Sequence, residues 1–132
     1  RVEISQPDGV GRYPQTPAQA RELGFRAFGR VGTGTDAQNR FVFHTVKPGA
    51  ESPGEAPHIN VIVLMRGLLL HAFTRVYFSD EAEANAKDAV LQSVPAERRH
   101  TLVAQRIERG GAVSYRFDIR MQGAEETAFF DV

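Results

Sequence analysis

The amino-acid sequence predicts an all-β protein, specifically an antiparallel β-sandwich with one or two short helices. The first observation is the block APHINVIVLMRGLLLHAFTRVY at residues 56–77, whose central part is apolar on both alternating faces, as in a strand covered on both sides. The second is the alternation of side-chain types through residues 40–46. The third is a series of short strand-like stretches separated by glycine and proline. Together they favour two packed antiparallel sheets.

Composition limits the class of protein. The chain has 132 residues, 16 Lys and Arg against 16 Asp and Glu, and no cysteine. This length supports one core, so we expect one domain over residues 1–132. Balanced charge provides no long-range field, so we expect neither nucleic acid nor a membrane as partner. Absence of cysteine excludes a disulfide framework and thiol catalysis and fits a cytoplasmic location.

The first residues of the sequence have the pattern of the middle of a strand. Residues 1–4 alternate like the middle of a strand, no methionine precedes them, and no signal-peptide pattern is present. We therefore expect the domain to lack its N-terminal segment. The predicted strand covers residues 2–6 and is followed by turn residues at 7–11 and a long loop to residue 24.

The middle of the chain predicts further strands. The glycine-rich stretch at 29–34 is no phosphate cradle, because no helix-forming segment and no Lys-Ser or Lys-Thr follow it. One strand is expected within residues 36–47, and a second long loop at 50–57. The apolar block then divides into strands at 59–65 and 69–78, joined as a hairpin around Arg66 and Gly67.

The last third of the chain changes period. Residues 79–99 are rich in alanine and begin with Ser79, which predicts a capped short helix ending near Pro95. A second hairpin is predicted from strands at 101–108 and 113–121 around Gly110 and Gly111. A short final strand is expected around Phe129.

The residues alone leave the chemistry open. His58 and Asn60 are two apart on a predicted strand and therefore share one face. A second histidine at that spacing would direct two imidazoles at one metal ion, but an amide is a poor replacement. Arg66, at the tip of an apolar hairpin, could grip a carboxylate, although an ordinary surface arginine is the favoured interpretation. The other histidines are scattered one to an element, and no serine-nucleophile motif is present.

Several stretches in order nevertheless resemble one family. The sequence is similar to the intradiol ring-cleavage dioxygenases, and within them to their α-type chains, through VEI-x-Q-x-D at 2–8, GRY at 11–13, FGR at 28–30, HTVKPG at 44–49, APHIN at 56–60, TRVYF at 74–78, YRFDIR at 115–120 and QG-x-x-ET-x-FF at 122–130. The resemblance extends from residue 2 to residue 132. It implies an antiparallel β-sandwich and pairing with a catalytic β-type chain that holds a non-haem ferric ion.

The resemblance also implies where metal ligands would stand. The β-type chains hold iron with two tyrosines and two histidines, and these positions fall here on Tyr13, Glu51, His58 and Asn60. Two of the four ligands are therefore missing, since Glu51 stands in place of a tyrosine and Asn60 in place of a histidine. Ferric iron ligated by phenolates needs their anionic oxygens and the imidazoles to complete its geometry. We expect no metal site and no catalytic residue in this chain alone. Ferric iron would be held by the partner chain.

The resemblance implies a supporting role in an enzyme. The expected reaction cleaves 3,4-dihydroxybenzoate (protocatechuate) between its hydroxyls with O2, giving 3-carboxy-cis,cis-muconate. This chain would form the interface and part of the cleft of the β-type chain within a higher hetero-oligomer, and Arg66 is the expected substrate-binding residue. Two alternatives stay open: a non-catalytic β-sandwich binding module, and a self-sufficient enzyme with an altered metal site built from Tyr13, Glu51 and His58.

Overall fold

The fold is mostly β with short helices. A computed structural model describes residues 2–7, 9, 11, 13, 28–31, 47–64, 72–121 and 123–130. The strands in this part of the chain are β1 Val2–Ser5, β2 Phe28–Val31, β3 His58–Val63, β4 Ala72–Phe78, β5 Val103–Arg109 and β6 Ala112–Arg116. The helices are α1 Ala82–Lys87 and α2 Ala89–Ser93, flanked by 3-10 helices Ser79–Glu81 and Ala96–Leu102. None of the helices in the described ranges is long and apolar enough to cross a membrane.

The strands join in the order β2-β1-β3-β4-β5-β6. Every pairing is antiparallel except that of β4 with β5, which is parallel and includes Tyr77 opposite Val103. The parallel pair follows from the helical segment between these strands, since a crossover connection returns the chain to the same end of the sheet. The sheet is therefore mixed, and the expectation of antiparallel pairing throughout is wrong at this one place.

Two groups of buried apolar residues form the core, and β4 contributes to both. One joins β1, β3, β4 and β5 through Ile4, Val61, Val63, Val76 and Ala104. The other joins β4 to the helices through Ala56, Tyr77, Leu91, Val94, Leu102 and Ala128. Neighbouring residues of β4 thus serve different groups, because successive strand side chains point to opposite faces. This is the two-sided burial that the apolar block predicted.

The predicted helical region is present but its cap is elsewhere. Phe78, at the start of the 3-10 helix, makes no capping side-chain bond, and Ser79 Oγ instead accepts a hydrogen bond from the Arg106 backbone N–H at 3.0 Å. The capping residue is Asp88, between α1 and α2, whose carboxylate accepts the Leu91 backbone N–H at 2.9 Å. A carboxylate at an N-cap satisfies a backbone donor that the helix leaves free.

Most strand predictions that fall in the described ranges are confirmed, with shifted ends. β1, β3, β4 and the β5–β6 hairpin lie where the pattern indicated, and Gly110 and Gly111 have the positive φ angles, 57° and 82°, that a two-residue hairpin turn requires. The second strand of that hairpin ends at Arg116 rather than at residue 121. Of the final predicted strand, the described residues form one bridge, between Phe73 and Phe130.

Two parts of the sequence interpretation have other outcomes. No strand is predicted at the start of the glycine-rich stretch, but residues 28–31 form β2, in which Gly29 lies opposite Ile4. The strand expected at 36–47 lies outside the described residues except for its last position, and the connection that holds Arg66 lies outside them too. The second sheet that a sandwich requires stays a prediction.

Candidate functional site

The first residue of β3 carries the most constrained polar side chain of the site. His58 is only 2% exposed, and its Nδ1–H donates to the Ala56 carbonyl oxygen at 2.9 Å. Because a carbonyl oxygen can only accept, Nδ1 carries a proton. Within the described part of the chain, Nε2 has no hydrogen-bond partner. The ring is therefore fixed by a hydrogen bond at Nδ1, whereas Nε2 has only the longer contact with Glu51.

A buried carboxylate fixes the backbone that orients His58. Asp88 is fully buried, and its Oδ2 accepts the Ala56 N–H at 2.8 Å while its Oδ1 accepts the Tyr77 hydroxyl at 3.0 Å. The same Oδ1 accepts the Leu91 N–H. Burial alone would raise the pKa of Asp88, but the two backbone donors and the Tyr77 hydroxyl outweigh it and lower that pKa. An ionised Asp88 thus ties the helices, β4 and the entry of β3 together.

Glu51 faces the Nε2 side of the His58 ring. Its Oε2 lies 3.5 Å from His58 Nε2, and its side chain is 31% exposed. The loop that carries Glu51 packs tightly against residue 11: a Cβ added to Gly11 would lie 1.9 Å from the Ala50 carbonyl oxygen, and Gly11 has a φ of 85°. Only glycine combines that conformation with that approach. This contact sets the segment of Tyr13 beside the loop of Glu51.

Tyr13 completes the cluster. Its side chain interacts with those of Glu51, Asn60 and Ser5, and Ser5 is the β1 residue directly opposite Asn60 in the sheet. Burial, followed by the charge of Glu51, raises the pKa of Tyr13 even though hydrogen bonds with Asn60 and Ser5 act in the other direction. The phenol is therefore held in its protonated form at neutral pH.

The structure brings the four predicted ligand positions into one cluster and adds residues that sequence reasoning missed. Tyr13, Glu51, His58 and Asn60 are linked through the contacts described above. The interpretation of the sequence overlooked Asp88, Tyr77 and Gly11. The one available signal was Asp88 between two helical stretches, which is typical of a cap but says nothing of Ala56, 32 residues away.

The other histidine of the described ranges pairs with a glutamate outside this cluster. His100 is exposed and its Nε2 lies 2.5 Å from Glu125 Oε2, with both side chains 60% exposed. His44, His71 and the predicted substrate-binding Arg66 lie outside the described residues.

Comparison with curated proteins identifies the family. The protocatechuate 3,4-dioxygenase alpha chain of Burkholderia cepacia is 63% identical over 132 residues, which cover 99% of this chain and 67% of that one. The alpha chain from Pseudomonas putida is 47% identical over 135 residues, covering 98% of this chain and 66% of that one. The Burkholderia cepacia protocatechuate 3,4-dioxygenase beta chain is 30% identical over 139 residues, covering 96% and 58%. No family model matches the chain.

These relationships agree with the resemblance found in the sequence. The chain spans about two thirds of the length of the alpha chains that it matches. It belongs to the intradiol ring-cleavage dioxygenases and, within them, to the protocatechuate 3,4-dioxygenase alpha-chain family. This chain is 63% identical to the Burkholderia cepacia alpha chain but only 30% identical to the beta chain of the same organism. It is therefore an alpha type with a more distant beta-type relative.

The cluster does not fit the ferric ion that the family implies. Its donors are one imidazole, one carboxylate, one phenol and one amide, where two phenols and two imidazoles would be needed. A ferric centre built on phenolates needs their anionic oxygens. Over the described ranges, no group of three or more His, Cys, Asp or Glu residues is placed to hold a metal ion. The four residues form a compact polar cluster, in which His58 Nε2 lies 3.5 Å from Glu51 Oε2 and makes no hydrogen bond within the described ranges.

Proposed function

We propose that this chain is the α-type subunit of a cytoplasmic protocatechuate 3,4-dioxygenase that holds no ferric ion itself. The assembled enzyme cleaves 3,4-dihydroxybenzoate between its hydroxyls with O2 and produces 3-carboxy-cis,cis-muconate. A β-type chain provides the ferric ion and the catalytic residues. This chain provides the interface and part of the cleft, as one β-sandwich domain over residues 1–132 in a higher hetero-oligomer.

One observation supports the proposal that the β-type chain, and not this chain, holds the ferric ion. The positions at which a β-type chain would place a second tyrosine and a second histidine hold Glu51 and Asn60 here, and both side chains contact the phenol of Tyr13. A carboxylate beside a phenol disfavours the phenolate, because two neighbouring negative charges repel. The identities of 63% and 47% to two alpha chains, against 30% to a beta chain, support the same assignment.

Arg66 is our proposed contribution to the substrate site. The substrate carries a carboxylate, and a guanidinium is a planar fork that pairs with a carboxylate through two hydrogen bonds. A cation at the rim of the partner's cleft would favour entry and orientation of the anion. The iron content of the assembled enzyme would not depend on Arg66.

The test is reconstitution with a β-type chain, for which the Burkholderia cepacia beta chain is a defined choice. The two chains are co-expressed, and the complex is measured for size, iron content and protocatechuate-dependent O2 uptake, with each chain alone as control. We expect a hetero-oligomer with about one iron per pair of chains and uptake only when both chains are present.

The two alternatives predict different results. A binding module would form no complex with the β-type chain and leave O2 uptake unchanged. A self-sufficient enzyme would consume O2 with protocatechuate as the purified single chain and would show a phenolate-to-iron absorption band. Either result would contradict the proposed function.

A further inference from the structure

We propose that the hairpin formed by β5 and β6 is a docking surface for an acidic, extended segment of the β-type chain, which lies along the outer edge of β6. The part of the hairpin concerned, residues 105–116, is called the ribbon below. The identity of the partner rests on the proposed function. The position, exposure and charge of the ribbon are properties of this chain alone.

The ribbon leaves the main sheet. Within the described ranges, β5 pairs with β4 only at Val103 and Ala104, and from Gln105 to Arg109 it pairs with β6 alone. β6 ends the strand order, so no described strand lies along its outer edge. A two-stranded hairpin is only marginally stable in water by itself, and an open strand edge favours pairing with another chain. A partner along β6 would therefore stabilise the ribbon.

The base of the ribbon is fixed, whereas its tip is exposed. The Arg106 backbone N–H donates to Ser79 Oγ at 3.0 Å, and the Tyr115 hydroxyl donates to Asp80 Oδ2 at 2.9 Å. Between Arg106 and Tyr115 every residue is exposed except Ile107, which is half-buried. The two anchored positions hold the ribbon in one direction, and both of its faces at the tip are open to a partner.

The ribbon is positively charged in a chain whose charge is balanced. Residues 105–116 contain three arginines and one glutamate, a net charge of +2, whereas the whole chain has 16 basic and 16 acidic residues. Glu108 pairs with Arg106 at 3.0 Å, and Arg109 has no ion pair within the described ranges. Such a surface attracts acidic side chains, whereas two copies of the ribbon would repel each other. The charge therefore favours an acidic segment of another chain over self-association.

β6 also offers an apolar contact. Val113 is 48% exposed, and it is the exposed large hydrophobic residue of the described ranges. Val113 and Arg116 lie on opposite faces of β6, because successive strand side chains alternate, so a segment along the edge would contact both. Protein interfaces combine buried apolar contacts with a polar rim, and arginine is enriched in them. These two residues give the edge of β6 that composition.

The test measures binding of the purified chain to the immobilised Burkholderia cepacia beta chain, at low and at high salt. Arg116→Glu should weaken binding by about tenfold or more at low salt, because it places like charges together. High salt should reduce that difference, since it screens exposed charges. Val113→Ser should weaken binding by about fivefold at both salt concentrations, as expected for a lost apolar contact.

The chain contains a matched control in Lys87→Glu. Lys87 on α1 and Arg116 are both 72% exposed, each pairs with one carboxylate of its own segment, and both substitutions change the net charge equally. K87E should bind like the parent at both salt concentrations. Equal effects of R116E and K87E, or unchanged binding in R116E and V113S, would overturn the docking surface and leave the proposed function intact. Absence of binding by the parent chain would contradict the proposed function and the docking surface together.

Discussion

The Tyr77 hydroxyl donates a 3.0 Å hydrogen bond to Asp88 Oδ1, and both residues are fully buried. The ionised Asp88 is stabilised by this hydroxyl and by backbone donors from two other segments. Burial raises the pKa of Tyr77 to about 12, which keeps the hydroxyl a donor at all ordinary pH values. The pair thus joins β4 to the helical crossover and, through Ala56, to His58.

Tyr77→Phe should destabilise the protein by about 1–3 kcal/mol, because it removes one donor from a buried carboxylate while keeping the aromatic ring. Urea unfolding at neutral pH measures the change. The matched control is Tyr115→Phe, which removes a 2.9 Å hydrogen bond to the exposed Asp80. Solvent replaces that bond, so the loss should be below about 1 kcal/mol. Equal losses in the two variants would contradict the importance of the buried bond.

Asp88 also predicts a dependence of stability on acid. Its pKa is lowered in the folded protein, so its contribution is fully present above the unfolded value of about 3.9 and is lost as the pH falls through the lower folded pKa. Asp88→Asn should therefore be less stable than the parent at pH 7, and the difference should shrink in acid below about pH 4. Free energies of unfolding across pH test this, with the exposed Glu83→Gln as control. A difference independent of pH would argue against an ionised Asp88.

Gly11 and Gly54 offer a comparison of two alanine substitutions. Their φ angles are 85° and 86°, but an added Cβ lies 1.9 Å from the Ala50 oxygen at Gly11 and meets nothing within 4 Å at Gly54. Both variants incur the cost of a left-handed backbone, and only Gly11→Ala adds a steric clash. We expect G11A to be less stable than G54A by about 1–3 kcal/mol. Thermal or urea unfolding of both variants checks it, and similar stabilities would mean that the loop can move aside.

Arg66→Ala is the prediction that concerns the substrate. In the reconstituted enzyme it should raise KM for protocatechuate by about fivefold to a hundredfold, as expected when a charged hydrogen-bonding partner is removed, and leave the iron content unchanged. Steady-state O2 uptake and a metal assay measure the two quantities. Arg66→Lys keeps the charge but loses the planar fork, so an intermediate KM is expected. Unchanged kinetics in R66A would remove this residue from the substrate site.

The strands were predictable where their signal is local. Val61 and Val63 belong to an apolar run that predicts burial directly from the sequence. Gly110 and Gly111 likewise mark the turn of the β5–β6 hairpin. β2 escaped prediction because a strand containing Gly29 has no apolar alternation. The parallel pairing of β4 with β5 escaped as well, because the partner of a strand depends on how the helical segment between them packs.

The site was predictable only in part, for the same reason. The spacing of His58 and Asn60 shows that they share a face of β3, and the resemblance supplied Tyr13 and Glu51. The contacts of Asp88 join residues 3, 11 and 32 positions away in the chain. No local pattern reports such distant partners. The unused Nε2 of His58 likewise depends on which atoms surround it in three dimensions.

The position of β1 has a consequence for synthesis on the ribosome. Among the strands of the described ranges, β1 is synthesised before the others, yet it lies inside the sheet, between β2 and β3, and β3 begins only at His58. Its two hydrogen-bonding edges therefore wait until much of the chain has been translated. During that interval Ile4 and its neighbours are exposed as an unpaired strand, a state prone to association with other chains. Synthesis together with a partner subunit, or protection by a chaperone, would shorten the time for which these edges are accessible.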